Sequence, residues 1–144
     1  GDTNGYSISS AGDVNGDGLD DLIVGIYAEG STGKENSGKS FVVFGKVDGA
    51  AVDLSNIDPA SGVGTGGFVI NGEKIGDLSG YSVSSAGDVN GDGLDDLIIG
   101  GMMTSEPKDH QLSKIFVAFG KKNSTSAIDL SVIDKGVGGF TIIG

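Results

Sequence analysis

The sequence predicts an all-β protein of two stacked, four-stranded antiparallel units, and three observations carry that prediction. The first is an internal repeat. Residues 1–25 laid on residues 76–100 differ only at Thr3/Leu78, Asn4/Ser79, Ile8/Val83 and Val24/Ile99. The second is the pair of runs Leu22-Ile23-Val24-Gly25 and Leu97-Ile98-Ile99-Gly100, apolar, largely β-branched and ended by glycine. Such short runs read as buried strands, not helices. The third is composition: Gly 28 against Pro 2, with 37% hydrophobic residues, suits a turn-rich β protein.

Each unit then reads as four strands. The first is Tyr6–Ser9 (Tyr81–Ser84), alternating apolar and small polar residues. The second is Leu22–Val24 (Leu97–Ile99), the third Ser40–Phe44 (Ile115–Phe119) and the fourth Phe68–Ile70 (Phe140–Ile143). Strands two and three are apolar on consecutive residues, which implies cover on both faces. Val52-Asp53-Leu54-Ser55 returns as Ile128-Asp129-Leu130-Ser131, so the likeness extends beyond the first 25 residues of each copy. The units divide as 1–72 and 73–144. Stacked four-stranded repeats that must cover one another's faces are β-propeller blades. The six phenylalanines (Phe41, Phe44, Phe68, Phe116, Phe119 and Phe140) are expected in the core.

Between the first two strands of each unit lies Asp13-Val14-Asn15-Gly16-Asp17-Gly18-Leu19-Asp20-Asp21, which returns unchanged from Asp88 to Asp96. Asp13, Asn15, Asp17 and Asp21, and likewise Asp88, Asn90, Asp92 and Asp96, place side-chain oxygens at loop positions 1, 3, 5 and 9. Leu19 and Leu94, at position 7, would add backbone carbonyls. Hard cations such as calcium take six to eight oxygens, and a tight glycine-bearing turn can converge alternate residues on one point. Carboxylates this close together repel unless a cation lies between them. The loops are therefore read as two calcium sites per chain. An Asn-Gly/Asp-Gly hairpin turn is compatible with that reading, but a turn alone does not require the carboxylates. Position 12 is Val24 or Ile99 where an EF-hand needs an acidic ligand, so the ligand set closes inside a hairpin. Asp20 and Asp95, at position 8, are expected to point away from the ion, into solvent or toward a neighbouring hairpin.

Phe44-Gly45 and Phe119-Gly120, with Gly5-Tyr6-Ser7 and Ser10-Ala11-Gly12-Asp13 ahead of the D-x-N-x-D-G-x-x-D loop, resemble FG-GAP repeats. Those are the blades of the integrin alpha-subunit propeller and its bacterial relatives. The resemblance covers both units and implies a calcium ion in the hairpin joining the first two strands of each blade. Ala-Gly-Asp stands here where the family has Gly-Ala-Pro, which leaves the ion ligands intact. The resemblance also implies a ligand face on the rim opposite the calcium loops. Here that rim carries the connections Tyr27–Gly38 and Met102–Ser113, which differ most between the copies. It thus implies a calcium-binding, extracellular or cell-surface module for protein or glycan interaction. The alternatives are an accessory propeller beside a secreted hydrolytic enzyme, or an excised or engineered fragment.

Charge and motif content narrow the classes further. A net charge of −11 argues against nucleic acid or an anionic membrane as partner. No apolar run is long enough to insert in a membrane. Cys 0 excludes thiol catalysis, and the lone His110 has no G-x-S-x-G nucleophile signature to serve, so no catalytic residue is assigned. The start without Met at a repeat boundary is read as a mature product or an excised fragment. Two blades leave apolar faces open, whereas closed rings have about four to eight blades. The expected partner is therefore the chain itself, head to tail, with three or four chains favoured.

Overall fold

The computed structural model describes residues 6–28, 35–61, 64–101, 114–122 and 124–143. Two antiparallel sheets form the framework. The first contains β1 (Tyr6–Gly12), β2 (Asp21–Ile26), β3 (Lys39–Val43) and β4 (Gly67–Asn71). The second contains β5 (Ser82–Gly87), β6 (Asp96–Gly100), β7 (Lys114–Ala118) and β9 (Gly139–Ile143). The four strands of each run as a meander, although the chain leaves the second sheet between β7 and β9. The register repeats with the sequence: Val24 pairs with Phe41, as Ile99 pairs with Phe116.

The sheets stack face to face as β-propeller blades. Ile23, Val42, Phe68 and Ile70 from the first blade meet Leu97, Ile99, Phe116 and Leu130 from the second in one buried cluster. A smaller cluster of Phe41, Ile57 and Val69 lies on the other face of the first blade, under its own β3–β4 connection. The corresponding connection of the second blade carries α1 (Leu130–Ile133), whose Leu130 and Ile133 enter the interblade core.

Three expectations need correction. Each unit was expected to hold four strands, yet β8 (Ile128–Asp129) leaves the second unit and pairs in parallel with β4, Ile70 against Ile128. The first sheet is therefore five-stranded, its fifth strand lent by the second unit. The third strands end at Val43 and Ala118, one residue short, although the Phe44 and Phe119 N–H groups still donate to the Gly66 and Gly138 carbonyls. Consecutive apolar residues in β2 do not mean two covered faces: Ile23 is buried but Leu22 is half exposed, since no sheet lies on its side. For the same reason Phe140 is partly exposed, while Phe41, Phe68 and Phe116 are buried as expected.

An ion pair pins each outer connection to its blade. Lys39 Nζ lies 2.8 Å from Asp58 Oδ2, and Lys114 Nζ lies 2.9 Å from Asp134 Oδ2. Burial pushes the Asp58 carboxyl up, but the Lys39 ammonium and the Ala60 N–H outweigh it and hold the group below the ordinary carboxylate range. A depressed carboxylate pKa adds stability that is present above the ordinary range and lost as pH falls through it. Asp58→Asn should therefore cost about 1–2 kcal/mol at neutral pH. Urea unfolding should find that difference gone below about pH 3. Phe68→Ala, by removing the largest buried side chain between the blades, should cost about 3–5 kcal/mol in the same assay.

Candidate metal centre

Each acidic loop closes the hairpin between the first two strands of a blade. The ladder slips by one residue between Ser10 and Gly12, and again between Ser85 and Gly87. Gly12 takes φ +68° at this bulge, a left-handed conformation that favours glycine. The chain is thereby turned out of the sheet and into the loop.

Inside the loop the first carboxylate organises the backbone. Asp13 Oδ1 accepts from the Gly16 N–H at 2.8 Å and the Asp17 N–H at 3.2 Å, and Oδ2 accepts from the Gly18 N–H at 2.9 Å. Asn15 Nδ2 donates to Asp17 Oδ2 at 3.3 Å, and Asp17 Oδ1 accepts from the Leu19 N–H at 2.9 Å. The second loop repeats the set: Asp88 accepts from Gly91, Asp92 and Gly93, Asn90 donates to Asp92, and Asp92 accepts from Leu94. The Gly93 N–H is the main cause that holds Asp88 below the ordinary carboxylate range.

The last carboxylate does a different job. Asp21 and Asp96 are fully buried. Asp21 Oδ2 accepts from the Val14 N–H at 2.9 Å and its Oδ1 from the Gly45 N–H at 2.8 Å. Asp96 does the same with Val89 and Gly120, both at 2.8 Å. Burial pushes the Asp21 carboxyl above the ordinary range. The N–H groups of Gly45 and Val14 pull it back, and the negative charges of Asp17 and Asp13 push it up again. The sequence-predicted ligands Asp13, Asp17 and Asp21 are thus electrostatic neighbours.

This donor set suits a hard cation by its chemistry. It is all oxygen, it repels itself, and carboxylate oxygens bound to amides keep further lone pairs. As the side chains stand, no three acidic groups among the described residues have closed on one point. His110 and the connection Met102–Ser113 lie outside the described residues, as do residues 29–34 of Tyr27–Gly38.

The family model for the FG-GAP repeat matches residues 4–43 and 79–108, one match on each blade. The chain is built of FG-GAP repeats. It is 34% identical over 97 residues to integrin alpha pat-2 of Caenorhabditis briggsae, 67% of this chain and 7% of that protein. It is 33% identical over 103 residues to integrin alpha-PS2 of Drosophila melanogaster, 72% of this chain and 6% of that protein. With integrin alpha pat-2 of Caenorhabditis elegans it shares 28% over 132 residues, 91% of this chain and 10% of that protein. The chain thus spans no more than a tenth of the length of these relatives.

The Phe-Gly pair that marks the FG-GAP repeat has a physical reason here. A Cβ on Gly45 would lie 2.3 Å from the Asp20 carbonyl oxygen, and one on Gly120 would lie 2.4 Å from that of Asp95. Only glycine lets the chain leaving the third strand run against the acidic hairpin and donate its N–H to the buried Asp21 or Asp96. The preceding phenylalanine packs on the fourth strand, Phe44 on Phe68 with centroids 6.0 Å apart and Phe119 on Phe140 at 5.9 Å.

The two FG-GAP loops are also joined to each other. Asp95 Oδ2 accepts from the Asp13 N–H at 2.8 Å, and the Asp95 N–H donates to the Asp13 carbonyl at 3.0 Å. The Lys121 N–H donates to the Val14 carbonyl at 2.9 Å, and Lys121 Nζ stands 4.4 Å above the Phe68 ring. Asp95 is therefore the neighbouring-hairpin contact expected for position 8. Asp20, the same residue in the first blade, is exposed. The role of Lys121 had no signal in sequence, because it exists only across the stack.

Asp21→Ala should cost about 3 kcal/mol in chelator, since it strands two buried N–H groups, and more in calcium if the carboxylate also holds an ion. Asp95→Ala should cost about 1–2 kcal/mol through loss of the loop-to-loop contact. Denaturant unfolding measures both.

Proposed function

We propose that this chain is a calcium-stabilised propeller module of adhesion-like kind, which works outside the cell by binding a protein or glycan ligand and catalyses no reaction. The observation that carries the calcium reading is the position of the two identical acidic loops. Each closes the same hairpin of its blade, and in each a buried aspartate anchors a set of oxygen donors gathered on one short loop. Asp13, Asn15, Asp17, the Leu19 carbonyl and Asp21 would hold one ion. Asp88, Asn90, Asp92, the Leu94 carbonyl and Asp96 would hold the other. A bound cation would neutralise the repulsion that Asp13 and Asp17 exert on Asp21 and would stiffen both hairpins. It supplies structure, not chemistry.

The interaction role rests on the similarity to integrin alpha chains and on the connections between second and third strands, which diverge while the rest of the repeat is kept. A net charge of −11 fits neither nucleic acid nor an anionic lipid surface as ligand. Among the described residues no helix is long and apolar enough to cross a membrane.

Millimolar calcium should raise the thermal midpoint over that in chelator by roughly 10 °C if both loops fill well above their dissociation constants. The double variant Asp17→Ala with Asp92→Ala should lose that calcium-dependent rise. An unchanged midpoint in the native chain would refute the structural role. Arrays of matrix proteins and glycans should show capture by the native chain without turnover of the captured molecule; turnover would transfer the module to an enzymatic role.

A further inference from the structure

We infer that the two open faces of this chain dock onto each other between copies, head to tail, in the register by which its own two blades are joined. The chain carries both halves of that joint twice, but only one pair of halves meets inside it.

The apolar halves are read from matched positions. Phe68 and Ile70 are 0% exposed beneath the second blade, while their counterparts Phe140 and Ile142 are 41% and 44% exposed. Val14 is 0% exposed, and its counterpart Val89 is 48% exposed. On the opposite face Leu97 is 0% exposed against the first blade, whereas Leu22 is 50% exposed and Ile8, the counterpart of Val83, is 62% exposed. Each open residue is the same apolar type, or nearly so, as the buried one it repeats. The face ending in Phe140 therefore has the shape and chemistry of the surface that the second blade already covers. The face with Leu22 has those of the surface that does the covering.

The polar halves repeat as well. Asp95 caps the Asp13 backbone inside the chain, and Asp20 is the free copy of Asp95, so Asp20 of one chain would cap the Asp88 backbone of the next. The Lys121 N–H bonds the Val14 carbonyl, which assigns the Lys46 N–H to the Val89 carbonyl. Lys121 Nζ sits over Phe68 while bonded to the Ser126 carbonyl. Lys46 Nζ is bonded to the matching Ala50 carbonyl and is placed to sit over Phe140. Ile128-Asp129 adds a parallel strand beside Ile70-Asn71, and Val52-Asp53, outside any strand, would add one beside Ile142-Ile143. One contact is lost: Asn71 Nδ2 donates to Asp129 at 3.1 Å, and Ile143 stands in the place of Asn71.

The occupant is a second copy because it offers the apolar face, the carboxylate, the lysine and the strand together. A contact of this heterologous kind closes into a ring or runs on as a filament. Three or four chains would give about six or eight blades, within the range of closed propellers. None of these contacts uses a side chain proposed as a calcium ligand, so the inference stands apart from the calcium reading.

The test is solution mass by light scattering on a sizing column, with the 144-residue chain at tens of micromolar. The native chain should show three or four times the mass of one chain. Leu22→Asp and Ile142→Asp, each placed at an exposed position, should run as single chains with unchanged circular dichroism. Mixed together they should form a two-chain species and nothing larger, because each retains one intact face and the two are complementary. Asp20→Ala, which alters only an exposed side chain, should raise the concentration for half-dissociation about tenfold. A native chain that stays single at this concentration would overturn the proposal and leave the faces to other blades of a longer polypeptide. A folded mixture that fails to pair would overturn it equally.

Discussion

The constraint on which the rest depends is that a four-stranded blade has two faces and can bury neither by itself. The hydrophobic contribution is roughly proportional to apolar area removed from water. The interblade layer of Ile23, Val42, Phe68 and Ile70 against Leu97, Ile99, Phe116 and Leu130 is where most of that area is removed. Everything at the rim serves to keep this layer in register. The β8 strand clips the second unit to the edge of the first sheet, Lys121 reaches across to Phe68, and Asp95 closes over the preceding loop.

The acidic loops accordingly have two functions that are separable by residue. Asp13, Asn15 and Asp17 are oxygen donors that shape the loop through its own amides. Asp21 and Asp96 are buried fasteners, each tying the start of its loop to the Phe-Gly corner of the third strand. A buried carboxylate with two N–H partners is strongly disfavoured from losing either one. The corner glycine, the buried aspartate and the hairpin therefore depend on one another. That mutual dependence is a physical account of why the repeat carries D-x-N-x-D-G-x-x-D and Phe-Gly together.

The likeness of the two blades also makes visible what stacking does. Identical loops give identical internal hydrogen bonds, yet Asp20 and Asp95 differ in environment because only Asp95 has a blade before it. Leu22 and Leu97, or Phe68 and Phe140, differ in burial for the same reason.

The fold and the donor set were legible in sequence, since both rest on local rules. Alternation, β-branched runs and glycine punctuation give strands and hairpins, and the spacing of Asp13, Asn15, Asp17 and Asp21 is set along one short loop. The resemblance to FG-GAP repeats followed from the same contiguous residues. What the sequence by itself did not determine is whatever joins residues far apart. The parallel β8 pairing, the Asp95 clasp and the Lys121–Phe68 contact arise from contact between blades, and no local pattern encodes a partner some 50 to 80 positions away. Burial of the second strand was misjudged for that reason. A run such as Leu22-Ile23-Val24 states that both faces can be covered, and only the stacking of the sheets decides which of them is.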